Sequence, residues 1–125
     1  TVHQREPVVI AIVDYGMGNL RSVAKALEYV GADPTVTSDP SVVAAADAVV
    51  LPGQGAFGAA MQRLNDAGMT DAVKDSISAG KPYLGICLGL QVLFESSEEA
   101  PDARGFGLLG GTVDRFEPTA GGRKI

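Results

Sequence analysis

The sequence predicts a three-layer α/β fold built on a mostly parallel, doubly wound sheet. Three observations carry that expectation. Short apolar runs alternate with amphipathic stretches of helical period along the chain. The first run, Val8 to Val13, is apolar and largely β-branched on both faces, as a strand covered from two sides must be. Glycine turns follow the first and third runs, at the strand ends where such sheets hold ligands.

Residues 8–14 read as the first strand, ending at Asp14. The turn Tyr15-Gly16-Met17-Gly18 follows, and Asn19 is placed to cap a helix over residues 20–30. Leu20, Val23, Ala24, Leu27 and Val30 share one face of that helix, and Gly31 is its stop. Residues 35–37 make a short second strand. Asp39-Pro40 reads as the cap and first position of a short helix to Ala45. Residues 47–51 form a third strand, closed by Pro52-Gly53. Residues 58–79 hold one broken helix or two short ones, interrupted near Gly68. After a turn at Gly80-Lys81-Pro82, residues 83–87 make a fourth strand that runs into a helix over residues 88–96. Residues 97–111, acidic and then glycine-rich, read as a long loop. Residues 112–116 look like another strand, a candidate antiparallel one. Right-handed crossovers follow from the alternation of strand and helix.

Composition bounds the function. The 125 residues read as a single domain spanning 1–125, with residues 1–7 a mobile tail. Gly121-Gly122 is a turn and Arg123-Lys124-Ile125 opens a pattern that does not continue, so the domain reads as incomplete at its C-terminus. An apolar content of 46% excludes a disordered chain. One cysteine excludes a disulfide framework and a multi-cysteine metal site, so no metal is expected. A net charge of −5 argues against nucleic acid as a partner. No apolar run approaches the length of a bilayer span, so no membrane role is expected. With no signal pattern at the start, the chain reads as cytoplasmic. The Gly16-x-Gly18 turn fails the dinucleotide fingerprint because Arg21 stands at its third glycine position, and no P-loop is present, so no cofactor is expected.

Chemistry concentrates in Gly85-Ile86-Cys87-Leu88-Gly89-Leu90-Gln91. A cysteine sits where an apolar strand turns into a helix, with glycine two residues before and two after. That is a nucleophile elbow with sulfur as the attacking atom. Glycines let the chain bend sharply and let substrate approach. The helix start would favour thiolate over thiol, and the Leu88 N–H would point where an oxyanion forms. A buried, inert thiol is the plainer reading of a single cysteine. Pro52-Gly53-Gln54-Gly55-Ala56-Phe57-Gly58 ends the third strand beside this elbow, and its backbone is a source for the second oxyanion donor. An ordinary strand-to-helix turn is the alternative. Tyr15-Gly16-Met17-Gly18-Asn19-Leu20-Arg21-Ser22 is either a capped turn or a partner-facing loop presenting Tyr15, Asn19 and Arg21.

Together these three segments resemble the glutaminase subunit of imidazole glycerol phosphate synthase, within the class I (triad-type) glutamine amidotransferases, whose core is flavodoxin-like. The run Leu93-Phe94-Glu95-Ser96-Ser97-Glu98-Glu99 continues the match. The resemblance implies that Cys87 attacks the side-chain amide of L-glutamine, releases ammonia, and leaves a thioester that water opens to glutamate. It implies an oxyanion hole from the backbone of Leu88 and Gln54, with Gly53 and Gly55 beside them, and substrate binding by Gly55, Gln91 and Glu99. It implies a heterodimer in which a (β/α)8-barrel cyclase receives the ammonia and makes imidazole glycerol phosphate and an aminoimidazole carboxamide ribonucleotide in histidine biosynthesis. Tyr15, Gly18, Asn19 and Arg21 would then belong to the partner interface.

Two departures stand out. Gln54 occupies a place where the family has a small aliphatic residue. The family's triad histidine and glutamate, a His-x-Glu pair, have no counterpart in these residues, whose one histidine is His3 in the N-terminal tail. General acid–base work contributes roughly a hundredfold to ten-thousandfold, so the 125 residues by themselves are expected to be essentially inactive on glutamine. Cys87 is still expected to add to a glutamine-like electrophile. Competing readings are a glutaminase for another acceptor, a non-catalytic flavodoxin-like binding domain, and an elbow-type cysteine hydrolase of esters or lactones.

Overall fold

Strands form where the sequence concentrates β-branched and apolar residues: β1 (Ile10–Val13), β2 (Pro34–Thr37), β3 (Ala48–Leu51) and β4 (Tyr83–Gly85). This computed structural model describes residues 8–97 and 103–110, and the backbone of 112–113. The four strands make one parallel sheet in the order β2-β1-β3-β4. Ile10 stands opposite Pro34 on one side and Ala48 on the other, and Leu51 stands opposite Gly85. Right-handed crossovers put α1 (Leu20–Tyr29) on one face of such a sheet. They put α2 (Pro40–Ala45), α3 (Phe57–Asp66) and α4 (Met69–Ser78) on the other. The expected three-layer, doubly wound architecture is therefore the observed one.

The core follows the period-2 alternation of the strands. Ala11, Val13, Val49 and Leu51 pack with Val43, Phe57, Leu64, Met69 and Val73 from α2, α3 and α4. Ile12 and Val50 are also buried but lie outside that cluster, as the alternation requires of residues on the opposite face. Helix α1 sits against β2 and buries none of its residues completely. Asn19 and Asp39 cap α1 and α2 as their residue types predict, their side chains accepting from the Ser22 and Ser41 N–H groups at 3.2 and 2.9 Å. The Ser41 hydroxyl and N–H together hold the Asp39 carboxyl below its usual range. The 58–79 stretch resolves into two helices, reversing at Gly68, where φ is 70°. No helix among the described residues is long and apolar enough to cross a membrane.

Two expectations are corrected. The helix expected over residues 88–96 is a single turn, α5 (Leu88–Gln91). Past Val92 the α-helical pattern is lost: the Leu93 and Phe94 N–H groups donate three residues back, to the Leu90 and Gln91 carbonyls at 3.2 and 3.1 Å, and the carbonyls of residues 92–95 pair with a distant segment. The Phe106, Gly107 and Gly105 N–H groups donate to the Val92, Phe94 and Glu95 carbonyls at 2.6, 3.2 and 2.9 Å. The Leu109 N–H donates to the Leu93 carbonyl at 2.9 Å. The second correction concerns the last expected strand. Its described part, β6 (Thr112–Val113), pairs in parallel with β5 (Ser96–Ser97) in a separate two-stranded sheet. The chain between them is long enough for the crossover that a parallel pair needs.

The topology also assembles the site. β1 and β4 both neighbour β3, so the segments that leave their C-terminal ends converge. Those segments are residues 14–19, 52–56 and 86–88.

Candidate active site

The elbow is a consequence of close backbone packing. The Ile86 N–H donates to the Leu51 carbonyl at 3.0 Å, which ties the end of β4 to β3. One residue later the chain bends, and Cys87 adopts φ 55° and ψ −110°. It is the one non-glycine residue with positive φ among the described residues. A side chain held in such a region costs on the order of 1–3 kcal/mol, a strain that clusters at functional sites. The Cys87 thiol is free and exposed, so the buried-thiol reading does not hold. The flanking glycines are a steric demand. A Cβ on Gly85 would run into the Gly89 carbonyl, and a Cβ on Gly89 would run into the Leu51 carbonyl. Because α5 is one turn long, few peptide dipoles align behind the sulfur.

The expected oxyanion donor is engaged. The Leu88 N–H donates to the Gly53 carbonyl at 3.2 Å, so this peptide of the 52–56 loop faces the elbow with its oxygen and not its N–H. Gly53 is buried, whereas Gln54 and Gly55 are exposed beside it. An oxyanion at this place needs the Gly53–Gln54 peptide to turn over. Such a rotation would withdraw the Gly53 oxygen, free the Leu88 N–H and bring the Gln54 N–H round toward the elbow. Gln91 lies one turn after Cys87 and is half-buried. Glu99 and His3 lie outside the described residues.

The partner-facing set divides. Gly18, Asn19 and Arg21 are exposed. Tyr15 is not: it is 5% exposed, and its hydroxyl donates to the Pro52 carbonyl at 2.7 Å. The expectation that Tyr15 faces a partner is therefore corrected. The sequence held the signal, because Ala11, Val13 and Tyr15 continue one period-2 row into the core.

Tyr83 was not singled out by sequence reasoning. Its hydroxyl donates to the Gly89 carbonyl, inside the turn that follows the nucleophile. Burial pushes the Tyr15 phenol up to about 12. Burial, with a smaller push from Tyr15, raises the Tyr83 phenol too. The unfolded chain therefore loses these protons first as pH rises above 10. The stability that Tyr15 contributes is complete below that pH and is lost as pH climbs through about 12. Urea midpoints measured from pH 9 to pH 12 are expected to fall, and Tyr15→Phe is expected to flatten the fall. An unchanged slope in Tyr15→Phe contradicts the assignment.

Comparison with known proteins identifies the family. The model of the glutamine amidotransferase class-I family matches residues 11–119. The chain is 56% identical over 110 residues to the imidazole glycerol phosphate synthase subunit HisH of Nostoc punctiforme, covering 88% of this chain and 52% of that one. It is 55% identical over 113 residues to the HisH subunit of a Cyanothece species, covering 90% and 53%. It thus spans about half the length of the curated relatives it matches. A solved structure titled as a glutamine amidotransferase superposes with a TM-score of 0.72 at 21% identity, over 93% of this chain and 59% of the other. At that identity it speaks for the fold alone. The family model across most of the sequence and relatives above half identity lead to one conclusion: this chain belongs to the class I glutamine amidotransferases.

Proposed function

We propose that this chain carries the nucleophile of a glutaminase that supplies ammonia to a cyclase partner in histidine biosynthesis. The single observation that supports it most is the Cys87 elbow: an exposed thiol at φ 55°, flanked by glycines at which a Cβ would meet a backbone carbonyl. The relatives named as imidazole glycerol phosphate synthase subunits support the choice of acceptor.

In this reading the Cys87 thiolate adds to the side-chain amide carbon of glutamine. The C=O electron pair moves onto oxygen, and the turned Gln54 N–H and the freed Leu88 N–H stabilise it. The C–N bond then breaks, nitrogen takes a proton and leaves as ammonia, and a γ-glutamyl thioester remains on sulfur. Water opens the thioester to glutamate. Gly55, Gln91 and Glu99 hold the amino-acid end of the substrate. The proton carrier is the triad histidine with its glutamate, which the present residues do not supply. Gly18 and Asn19, exposed in the turn after β1, and Arg21, exposed in the first turn of α1, are the proposed contact with a (β/α)8-barrel cyclase.

The intact protein, mixed with the cyclase and its ribonucleotide substrate, is expected to release glutamate and to deliver the amide nitrogen of [15N-amide]glutamine into the cyclase product. No glutamate release in the complex overturns the glutaminase reading. Glutamate release without 15N transfer overturns the choice of acceptor.

A further inference from the structure

Two buried or half-buried phenols lie beside the Cys87 loop, and the mechanism above uses neither. The Tyr15 hydroxyl holds the Pro52 carbonyl at 2.7 Å. That carbonyl belongs to the peptide immediately before Gly53–Gln54. The Tyr83 hydroxyl holds the Gly89 carbonyl, two residues after the nucleophile. Between them, the Leu88 N–H and the Gly53 carbonyl join the two backbone segments at 3.2 Å. Gly53 has no room for a side chain: a Cβ there would run into the Tyr15 hydroxyl and lie 3.1 Å from the Leu88 Cβ.

We propose that Tyr15 and Tyr83 are positioning residues of the site, their hydroxyls pinning the Pro52 and Gly89 carbonyls so that the Leu88 and Gln54 N–H groups meet one oxyanion. The proposal rests on the glutaminase reading above. With Pro52 fixed by Tyr15, the turn that opens the site is confined to the single Gly53–Gln54 peptide. With Gly89 fixed by Tyr83, the Leu88 N–H keeps its aim when it loses the Gly53 oxygen. Phenylalanine at either position keeps the ring and removes the pin. Misplacement of reacting groups by about 1 Å costs on the order of a hundredfold in rate, so a loosened pin is felt at the reacting carbon. Tyr83 packs, partly buried, against the core cluster that contains Tyr15, which places both pins on one core.

The test uses two probes on the intact protein. A glutamine analogue with an aldehyde in place of the side-chain amide forms a hemithioacetal. Sulfur adds to the carbonyl carbon, the C=O pair moves to oxygen, and the oxygen is held by the two N–H groups or protonated by water. Iodoacetamide alkylates sulfur by displacing iodide and forms no oxyanion. Tyr15→Phe and Tyr83→Phe are each expected to weaken aldehyde capture about tenfold, while iodoacetamide reacts within about twofold of the parent rate. Tyr29→Phe, at a site 92% exposed, is expected to change neither. Unchanged aldehyde capture in both variants overturns the proposal. So does an equal slowing of both probes with a lowered melting temperature, which marks a merely structural role. Failure of the parent protein to capture the aldehyde at all sinks the glutaminase reading instead.

Discussion

Cys87→Gly is expected to abolish the proposed glutamine hydrolysis and to make the protein more stable at the same time. The loss follows from chemistry, since no other sulfur exists in this position or elsewhere as a cysteine. Removing the nucleophile of a triad costs about 10⁶ in kcat where it has been dissected. The gain follows from backbone geometry. At φ 55° and ψ −110° a Cβ is strained, and glycine relieves that strain. Glycine also loosens the unfolded chain, which offsets part of the gain, so the net expectation is about +1 kcal/mol. Cys87→Ala provides the contrast. It is equally dead, but it keeps a Cβ in the strained region and gains nothing. Chemical denaturation of the three proteins reads the difference. Equal stability of the glycine and alanine variants contradicts the strain assigned to the elbow.

Gly89→Ala is the second large effect, and here two rules oppose each other. Alanine is the better helix former by about 1 kcal/mol, so propensity alone predicts a stabilised α5. The added methyl, however, runs into the Leu51 carbonyl. That oxygen lies in a central strand and accepts from the Ile86 N–H at 3.0 Å. To make room, β3 and α5 must part, which loosens the bond that seats the elbow. Overpacking of this kind costs about 1–3 kcal/mol, and more where backbone is the obstacle, so the clash wins. The expected result is a loss of about 2 kcal/mol or more, with glutaminase turnover reduced beyond what the unfolded fraction explains. A Gly89→Ala protein of parent stability and activity contradicts the packing described at this turn.

Much of this was legible in the sequence because the signals were local. The apolar, largely β-branched run at Ile10 to Val13, the Asn19 and Asp39 caps and the glycine at 85 each report on neighbours within a few residues. The parallel sheet followed from their order. What escaped was set by distant chain. The chain after α5 is drawn into hydrogen bonds with residues 105–109, which no local pattern near Leu88 announces. The Leu88 N–H looked open because the orientation of the Gly53–Gln54 peptide is a rotation that a glycine-flanked loop leaves free. Tyr15 was read by its motif as surface, whereas its place in the Ala11, Val13 row sends it inward. Tyr83 looked like an ordinary strand residue, because its partner carbonyl at Gly89 is brought to it only by the bend at Cys87.

The most direct measurement is covalent. The intact protein is incubated with a glutamine analogue carrying a chloroketone in place of the amide, with and without excess glutamine, and then mapped by peptide mass. One adduct on Cys87 that glutamine suppresses is the predicted result. An unmodified Cys87, or an adduct that forms at the same rate whether or not glutamine is present, contradicts the account.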